Sequence, residues 1–199
     1  MFNRTMARVL INHGWTNQRS VGHWQRHLAA DLRNTGHQVQ YPQYPETEHP
    51  RFDDWQNLLV AELDIMHEAG SGETVVICHS LACVNFLIAA AKGLVTKQID
   101  RLLLVAPADP RTLGELDGYK VDVASTREAL EKVAHSTTIV ASDKDPWIPR
   151  GVKATFGEPL GLDPVIVPGA GHLALADGYG HWRSVAAWVD DPKVDLRDH

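Results

Sequence analysis

Apolar residues along the chain occur in two alternating patterns, short continuous runs and longer segments with helical spacing. The short runs predict β-strands that are buried on both faces. These runs are Ala7–Asn12, Gln38–Tyr41, Thr74–Cys78, Arg101–Ala106, Thr137–Ala141 and Pro164–Val167. Strands that alternate with helices are typical of βαβ units around a parallel sheet. We therefore expect an α/β fold, a three-layer α/β/α sandwich with a mostly parallel six-stranded sheet in the order 2-1-3-4-5-6.

Between the strands, apolar residues recur at spacings of three and four, which predicts helices. The first helix carries Trp24, Leu28 and Leu32 on one face. Further helices are predicted over Phe52–Met66, Ser80–Ala91 and Arg127–Ala134, from about Pro149 onwards, and over Ala174–Val189. The pattern predicts one domain over residues 1–190, followed by a charged, frayed C-terminal tail over residues 191–199.

Composition and charge narrow the class of protein. A chain of 199 residues is long enough to bury a core without disulfides or metals. The net charge of −6 without a basic stripe argues against a nucleic-acid partner. The apolar runs are too short to span a bilayer, and Met1–Arg8 lacks the features of a secretory signal. Cys78 and Cys83 have neither a zinc-ligand nor a disulfide spacing, so we expect buried thiols in a cytoplasmic protein.

A strand that stops at a serine is the most informative local feature. The run Val75–Ser80 is followed at once by helix-compatible residues, which predicts a strand–turn–helix with Ser80 at the turn. A nucleophilic serine in this setting has small residues two positions before and after it, usually in the pattern Gly-x-Ser-x-Gly. Here Cys78 and Ala82 replace both glycines. Ser80 is therefore either a nucleophile or the N-cap of the helix.

A serine nucleophile needs an imidazole as base and a carboxylate that orients the imidazole. In this architecture the order along the chain is serine, acid, histidine. The loop after the sixth strand supplies His172, with His181 as the alternative base. The loop after the fifth strand contains Asp143 and Asp145, and Asp109 follows the fourth strand.

Asp145 is favoured as the acid because it precedes Pro146, whose fixed φ helps to aim the preceding side chain inward. Asp143 is the alternative, although capping a turn is the commoner role of a loop aspartate. The carboxyl ends of parallel strands lie at one edge of a sheet, so these loops are expected to meet Ser80 there.

An oxyanion hole requires two backbone N–H groups near the attacked carbonyl. We expect one from Leu81, directly after the nucleophile, and one from Trp15, where Gly14 allows the chain to turn sharply. Roughly thirty residues separate strands four and five, which excludes a large lid. The substrate site is therefore expected to be shallow and bordered by Trp15, Trp147 and Leu173.

The remaining histidines give weaker signals. His23 and His27 are four residues apart, but no carboxylate between them supplies a general base, so no metal site is expected. His79 directly precedes Ser80 and is expected to point to the other side of the turn.

Five segments together resemble the small serine-hydrolase family of the α/β-hydrolase fold that includes retinoblastoma-binding protein 9. The segments are His13-Gly-Trp15, Gly22-His-Trp24, His79-Ser-Leu81, Asp145-Pro-Trp-Ile-Pro149 and Gly171-His172. The resemblance spans nearly the whole chain and implies a minimal α/β-hydrolase fold with the triad Ser80, Asp145 and His172.

The resemblance also implies hydrolysis of a small acyl substrate, an ester, thioester or amide, through an acyl-enzyme and without a cofactor. One family member is named for binding another protein. The alternative is therefore a non-catalytic module that binds a protein or a ligand on a hydrolase scaffold. The replacement of both glycines at the turn also motivates this alternative.

Overall fold

The computed structural model describes residues 6–114 and 116–199 of the chain. Residues 1–5, with which the predicted domain begins, lie outside this range. The strands are β1 Arg8–Asn12, β2 Gln38–Gln40, β3 Thr74–His79, β4 Ile99–Val105, β5 Ala134–Ser142 and β6 Val165–Val167. Within the described residues they form one sheet in the order β2-β1-β3-β4-β5-β6, and every pairing is parallel. The predicted fold class and strand order are confirmed.

Helices connect the strands and cover both faces of the sheet. They are α1 Trp24–Asn34, α2 Phe52–Glu68, α3 Leu81–Ala91, α4 Arg127–Val133, α5 Glu158–Leu160 and α6 Arg183–Asp190. Short 3₁₀ turns lie at Ala124–Thr126 and Leu175–Asp177, and a π-helical turn over Lys153–Gly157 precedes α5. None of the described helices has both the length and the apolar character needed to cross a membrane.

The alternation of side chains along β3 divides the core into two layers. Val75 and Ile77 pack in the cluster formed with α1 and α6, whereas Val76 and Cys78 pack in the cluster formed with α2, α3 and α4. Successive side chains of a strand point to opposite faces, so a continuously apolar strand serves both layers. This explains why the strands read as unbroken apolar runs in the sequence.

Helix α3 lies closest to the candidate site and is apolar on nearly every side. Ten of its eleven residues are buried, as expected for a helix enclosed between a sheet and other helices. Because α3 starts immediately after Ser80, its burial holds that serine at the carboxyl end of β3.

The C-terminal region differs from its prediction in two ways. The predicted helix Ala174–Val189 is interrupted, because Gly178 adopts a left-handed backbone (φ 90°) after the 3₁₀ turn, and α6 begins only at Arg183. The expected frayed tail is instead packed, since Leu196 is buried in the core cluster and its carbonyl accepts the indole N–H of Trp182 at 3.2 Å. An apolar residue within a charged segment therefore anchors residues 191–199 to the domain.

Candidate active site

Ser80 lies at a sharp turn between β3 and α3. Its backbone dihedrals are φ 56° and ψ −120°, which a residue with a β-carbon rarely adopts. The Ser80 amide donates to the carbonyl of Val105 at 3.0 Å, and its own carbonyl accepts from Cys83 at 3.0 Å. The turn thus forms with Cys78 and Ala82 in place of glycines, and it has the strained geometry expected of a nucleophile elbow.

Three side chains from separate loops form a chain of hydrogen bonds. Nε2 of His172 lies 2.8 Å from Oγ of Ser80, and Nδ1 of His172 lies 2.8 Å from Oδ2 of Asp145. A carboxylate only accepts, so Nδ1 carries the proton and Nε2 is free to accept the proton of the serine hydroxyl. The side chain of Asp145 is 1% exposed, and its Oδ1 accepts the amide of Trp147 at 2.9 Å.

The loops that carry Asp145 and His172 are bonded to each other directly, as well as through these two side chains. They leave the adjacent strands β5 and β6, whose last residues pair. Oδ1 of Asp143 accepts the Gly169 amide at 2.7 Å, and Oγ of Ser142 accepts the Ala170 amide at 2.9 Å. Asp143 therefore holds the histidine loop, while Asp145 contacts the imidazole itself. The side chain of Asp109 does not contact His172 and instead accepts two hydrogen bonds from the Arg111 guanidinium.

The backbone of His172 is held on both sides by residues that sequence reasoning did not assign. Its amide donates to Oδ2 of Asp177 at 2.9 Å. Its carbonyl accepts from Nε2 of His79 at 3.1 Å, and the two imidazole centroids are 5.1 Å apart. The sequence predicts that His79 points to the other side of the turn; its ring lies on the α1 face, against His23 and Trp24, and the histidine loop crosses above it there. The alternation of β3 gives this direction, but the path of the loop is not visible in the sequence.

The loop after β1 approaches Ser80 through Gly14, where a β-carbon would lie 3.0 Å from the His79 carbonyl oxygen. His13 holds this loop, because its ring lies 3.0 Å from the Gly14 carbonyl and 2.9 Å from the Tyr44 amide. The amide must donate, so Nε2 of His13 accepts and Nδ1 donates to Gly14. Burial lowers the pKa of His13 to about 4, which keeps this neutral tautomer at pH 7.

A cleft of about 270 Å³ opens beside Ser80. Trp15 and Trp147 line it, and their ring centroids are 5.9 Å apart. The prediction that Leu173 borders the substrate is wrong, because Leu173 is fully buried in the core. Its positive φ of 52° turns the side chain inward, and its carbonyl accepts the indole N–H of Trp24 at 3.0 Å. The next two residues, Ala174 and Leu175, line the cleft instead.

The other histidine and cysteine candidates lie apart from this site. His181 bonds to Asp31 on α1 at 2.6 Å and stacks on His27. Its ring therefore takes no part in the hydrogen bonds at Ser80. Among the residues that the structure describes, no cluster of three or more histidine, cysteine or acidic side chains is arranged to hold a metal ion. Cys78 and Cys83 are buried free thiols, and burial raises the pKa of Cys78 to about 12.

Comparison with solved structures shows which known folds the chain shares. The ydeN gene product of B. subtilis superposes with a TM-score of 0.77 at 22% identity, covering 93% of this chain and 97% of that chain. A YdeN-like hydrolase from Pectobacterium atrosepticum gives a TM-score of 0.72 at 20% identity, covering 94% and 90%. Est1E from Butyrivibrio proteoclasticus gives 0.63 at 17% identity, covering 97% and 88%.

Sequence comparison extends this result from fold to family. No curated protein sequence matches the chain significantly. A family model described as serine hydrolase matches residues 9–191, which include all three loops that meet at Ser80. The chain therefore belongs to the serine hydrolase family and is a hydrolase with the α/β-hydrolase fold.

Proposed function

We propose that this enzyme hydrolyses small ester, thioester or amide substrates through an acyl-enzyme formed on Ser80. The observation that carries the proposal is the continuous hydrogen-bond chain from Asp145 through His172 to Ser80, with both distances at 2.8 Å. These groups and their order of contact match what nucleophilic acyl transfer needs.

In the first half-reaction, Nε2 of His172 takes the hydroxyl proton as Oγ of Ser80 forms a bond to the carbonyl carbon. Asp145 stabilises the resulting imidazolium and keeps its orientation. The tetrahedral intermediate then collapses. Its bond to the leaving alcohol, thiol or amine breaks, and His172 returns the proton to that leaving group.

The negative charge on the carbonyl oxygen requires backbone donors. The Leu81 amide belongs to the first turn of α3, where N–H groups have no partner within the helix. The Gly14 carbonyl faces His13. Because the C=O and N–H of one peptide point in opposite directions, the Trp15 amide points away from His13. This orientation supports Trp15 and Leu81 as the two donors.

In the second half-reaction, water enters where the leaving group was. His172 removes a proton from the water as the water oxygen forms a bond to the acyl carbon. The bond between that carbon and Oγ of Ser80 then breaks, and His172 gives the proton to Oγ. The acid product leaves and the enzyme is restored. Trp15 and Trp147 border the cleft in which the acyl group would lie during both steps.

The test compares Ser80→Ala with Ser184→Ala, a buried serine in α6. Hydrolysis of p-nitrophenyl esters of graded chain length is measured for both variants, together with fluorophosphonate labelling followed by mass spectrometry. We expect Ser80→Ala to lower kcat by about 10⁴-fold or more and to abolish labelling. Ser184→Ala should retain both. A wild-type protein that is folded but neither labelled nor active would instead favour the binding-module alternative.

A further inference from the structure

The cleft beside Ser80 has one continuous apolar wall. Leu81, Ala108 and Leu113 line it, and all three belong to a single buried cluster against which Trp15 also packs. Trp147 continues this wall from the acid loop, with its ring centroid 6.2 Å from that of His172. A substrate group that packs against this wall therefore lies next to Ser80 and His172.

The tryptophans present apolar surface to the cleft. The indole N–H of Trp15 is already engaged, because it donates to the Glu48 carbonyl at 3.1 Å. Trp147 is 37% exposed, so part of its ring remains open to an incoming group. Burying such rings against an apolar chain is favourable, whereas burying them against a charge is not unless the charge finds a partner.

The rest of the lining, apart from Ser80 and His172, mixes polar and aliphatic side chains. The polar ones are hydroxyl, amide and imidazole groups of Thr16, Asn17, Ser20, His23 and His79, and the aliphatic ones belong to Ala174, Leu175 and Ala176. Among the described lining residues there is no aspartate, glutamate, lysine or arginine. Burial lowers the pKa of His23 to about 4 and that of His79 well below its usual value, so both imidazoles are neutral at pH 7.

We propose that the acyl chain of the substrate is short, apolar and uncharged, that it packs against Trp15, Trp147 and Leu113, and that acyl chains bearing a second carboxylate are rejected. This inference rests on the proposed function and specifies its substrate class. The volume of about 270 Å³ is just below the usual range for ligand pockets, which favours short chains. An anionic chain would lose hydration without gaining a cationic partner, and the Asp145 carboxylate behind His172 would add repulsion.

The experiment measures how fast Ser80 reacts with two fluorophosphonates of equal chain length, one ending in a methyl group and the other in a carboxylate. In each reaction Oγ of Ser80 forms a bond to phosphorus, fluoride leaves, and His172 takes the hydroxyl proton. Both probes share one reactive centre, so the ratio of second-order labelling rates reports on the cleft. At pH 7.5 we expect the methyl-ended probe to react at least about 30-fold faster.

Two outcomes separate this inference from the proposed function. Labelling of Ser80 by both probes at rates within threefold of each other overturns the substrate class and leaves the triad intact. Labelling of Ser80 by neither probe in folded protein overturns the triad, and the substrate class with it.

A charge introduced at the cleft tests the physical cause. Leu175 lines the cleft and is 41% exposed, so Leu175→Lys should fold and bring an ammonium group to the anionic probe. Leu94→Lys is the matched control, since Leu94 is 38% exposed and follows the distant end of α3. We expect Leu175→Lys to narrow the rate ratio at least about threefold and Leu94→Lys to leave it unchanged. An unchanged ratio in Leu175→Lys would contradict the proposal.

Discussion

A β-carbon placed on Gly14 would lie 2.7 Å from the β-carbon of Ser80. Real side chains do not approach this closely, so the loop after β1 can lie against Ser80 only because residue 14 is glycine. The same loop carries Trp15, whose amide is the proposed oxyanion donor. Gly14 therefore sets the distance between Ser80 and the Trp15 amide.

Gly14→Ala should lower kcat by about 100-fold, because the loop must shift and take the Trp15 amide with it. Steady-state hydrolysis of a p-nitrophenyl ester measures this loss. Gly114→Ala serves as the control, since a β-carbon at Gly114 meets no atom within 4 Å. Equal activity of the two variants would show that the close approach has no catalytic consequence.

Asp145→Asn should lower kcat by about 10³-fold or more, because an amide nitrogen beside Nδ1 favours the wrong tautomer of His172. Asp143→Asn makes the same chemical change two residues away and keeps an oxygen for the Gly169 amide. Its kcat should stay within about threefold of wild type. Kinetics on both variants, with circular dichroism to verify folding, decide between the two aspartates. Similar losses would mean that the loop, and not the contact to His172, matters.

His79 should act as a positioning residue, since its Nε2 donates to the His172 carbonyl. His79→Leu removes the donor, and we expect kcat to fall about 10-fold at nearly constant KM because the imidazole is less well oriented. His79→Gln retains an N–H donor and should recover most of the loss. Measuring kcat and KM separately for both variants tests this role. A loss that is equal in the two variants, or that appears only in KM, would contradict it.

Stability should fall below neutral pH because of His23. Burial lowers its folded pKa from 6.5 to about 4. As the pH drops from 6.5 towards 4, the unfolded chain binds a proton that the folded chain does not, so this group destabilises the fold by about 1.4 kcal/mol per pH unit. His23→Asn keeps a side-chain acceptor at the N-cap of α1 but does not titrate in this range.

Urea unfolding at pH 7 and pH 5 measures the effect. The drop in the free energy of unfolding between these values should be about 2 kcal/mol smaller in His23→Asn than in wild type. A drop that is identical in the two proteins would show that His23 binds its proton equally well in the folded and the unfolded chain.

The sheet could be predicted from the sequence because its strands are buried on both faces and therefore read as unbroken apolar runs. The end of the chain could not be predicted in this way. Apolar spacing continues from Leu175 to Trp182 as in one long helix, but the left-handed backbone at Gly178 stops it. Leu196 lies in a segment whose charge indicates exposure, and only its contact with Trp182 shows that it is buried.

The meeting of three loops at Ser80 could also be predicted, because parallel strands present their carboxyl ends at one edge of the sheet. Whether a single side chain points into the site or into the core could not be predicted. Leu173 follows His172 directly, yet its positive φ sends its side chain into the core. His79 acquires its contact only from the path of a loop 93 residues away along the chain. Such contacts depend on tertiary structure and leave no periodic signal.

The bonds from Asp143 and Ser142 to the histidine loop bear on how the enzyme loses activity when heated. A thermal fluctuation at this corner of the sheet would displace His172 and Asp145 together, while Ser80 stays at the end of β3. Inactivation would then be a single local event that precedes melting of the core. Stiffening this corner should extend the working temperature of the enzyme more than further packing beneath the sheet.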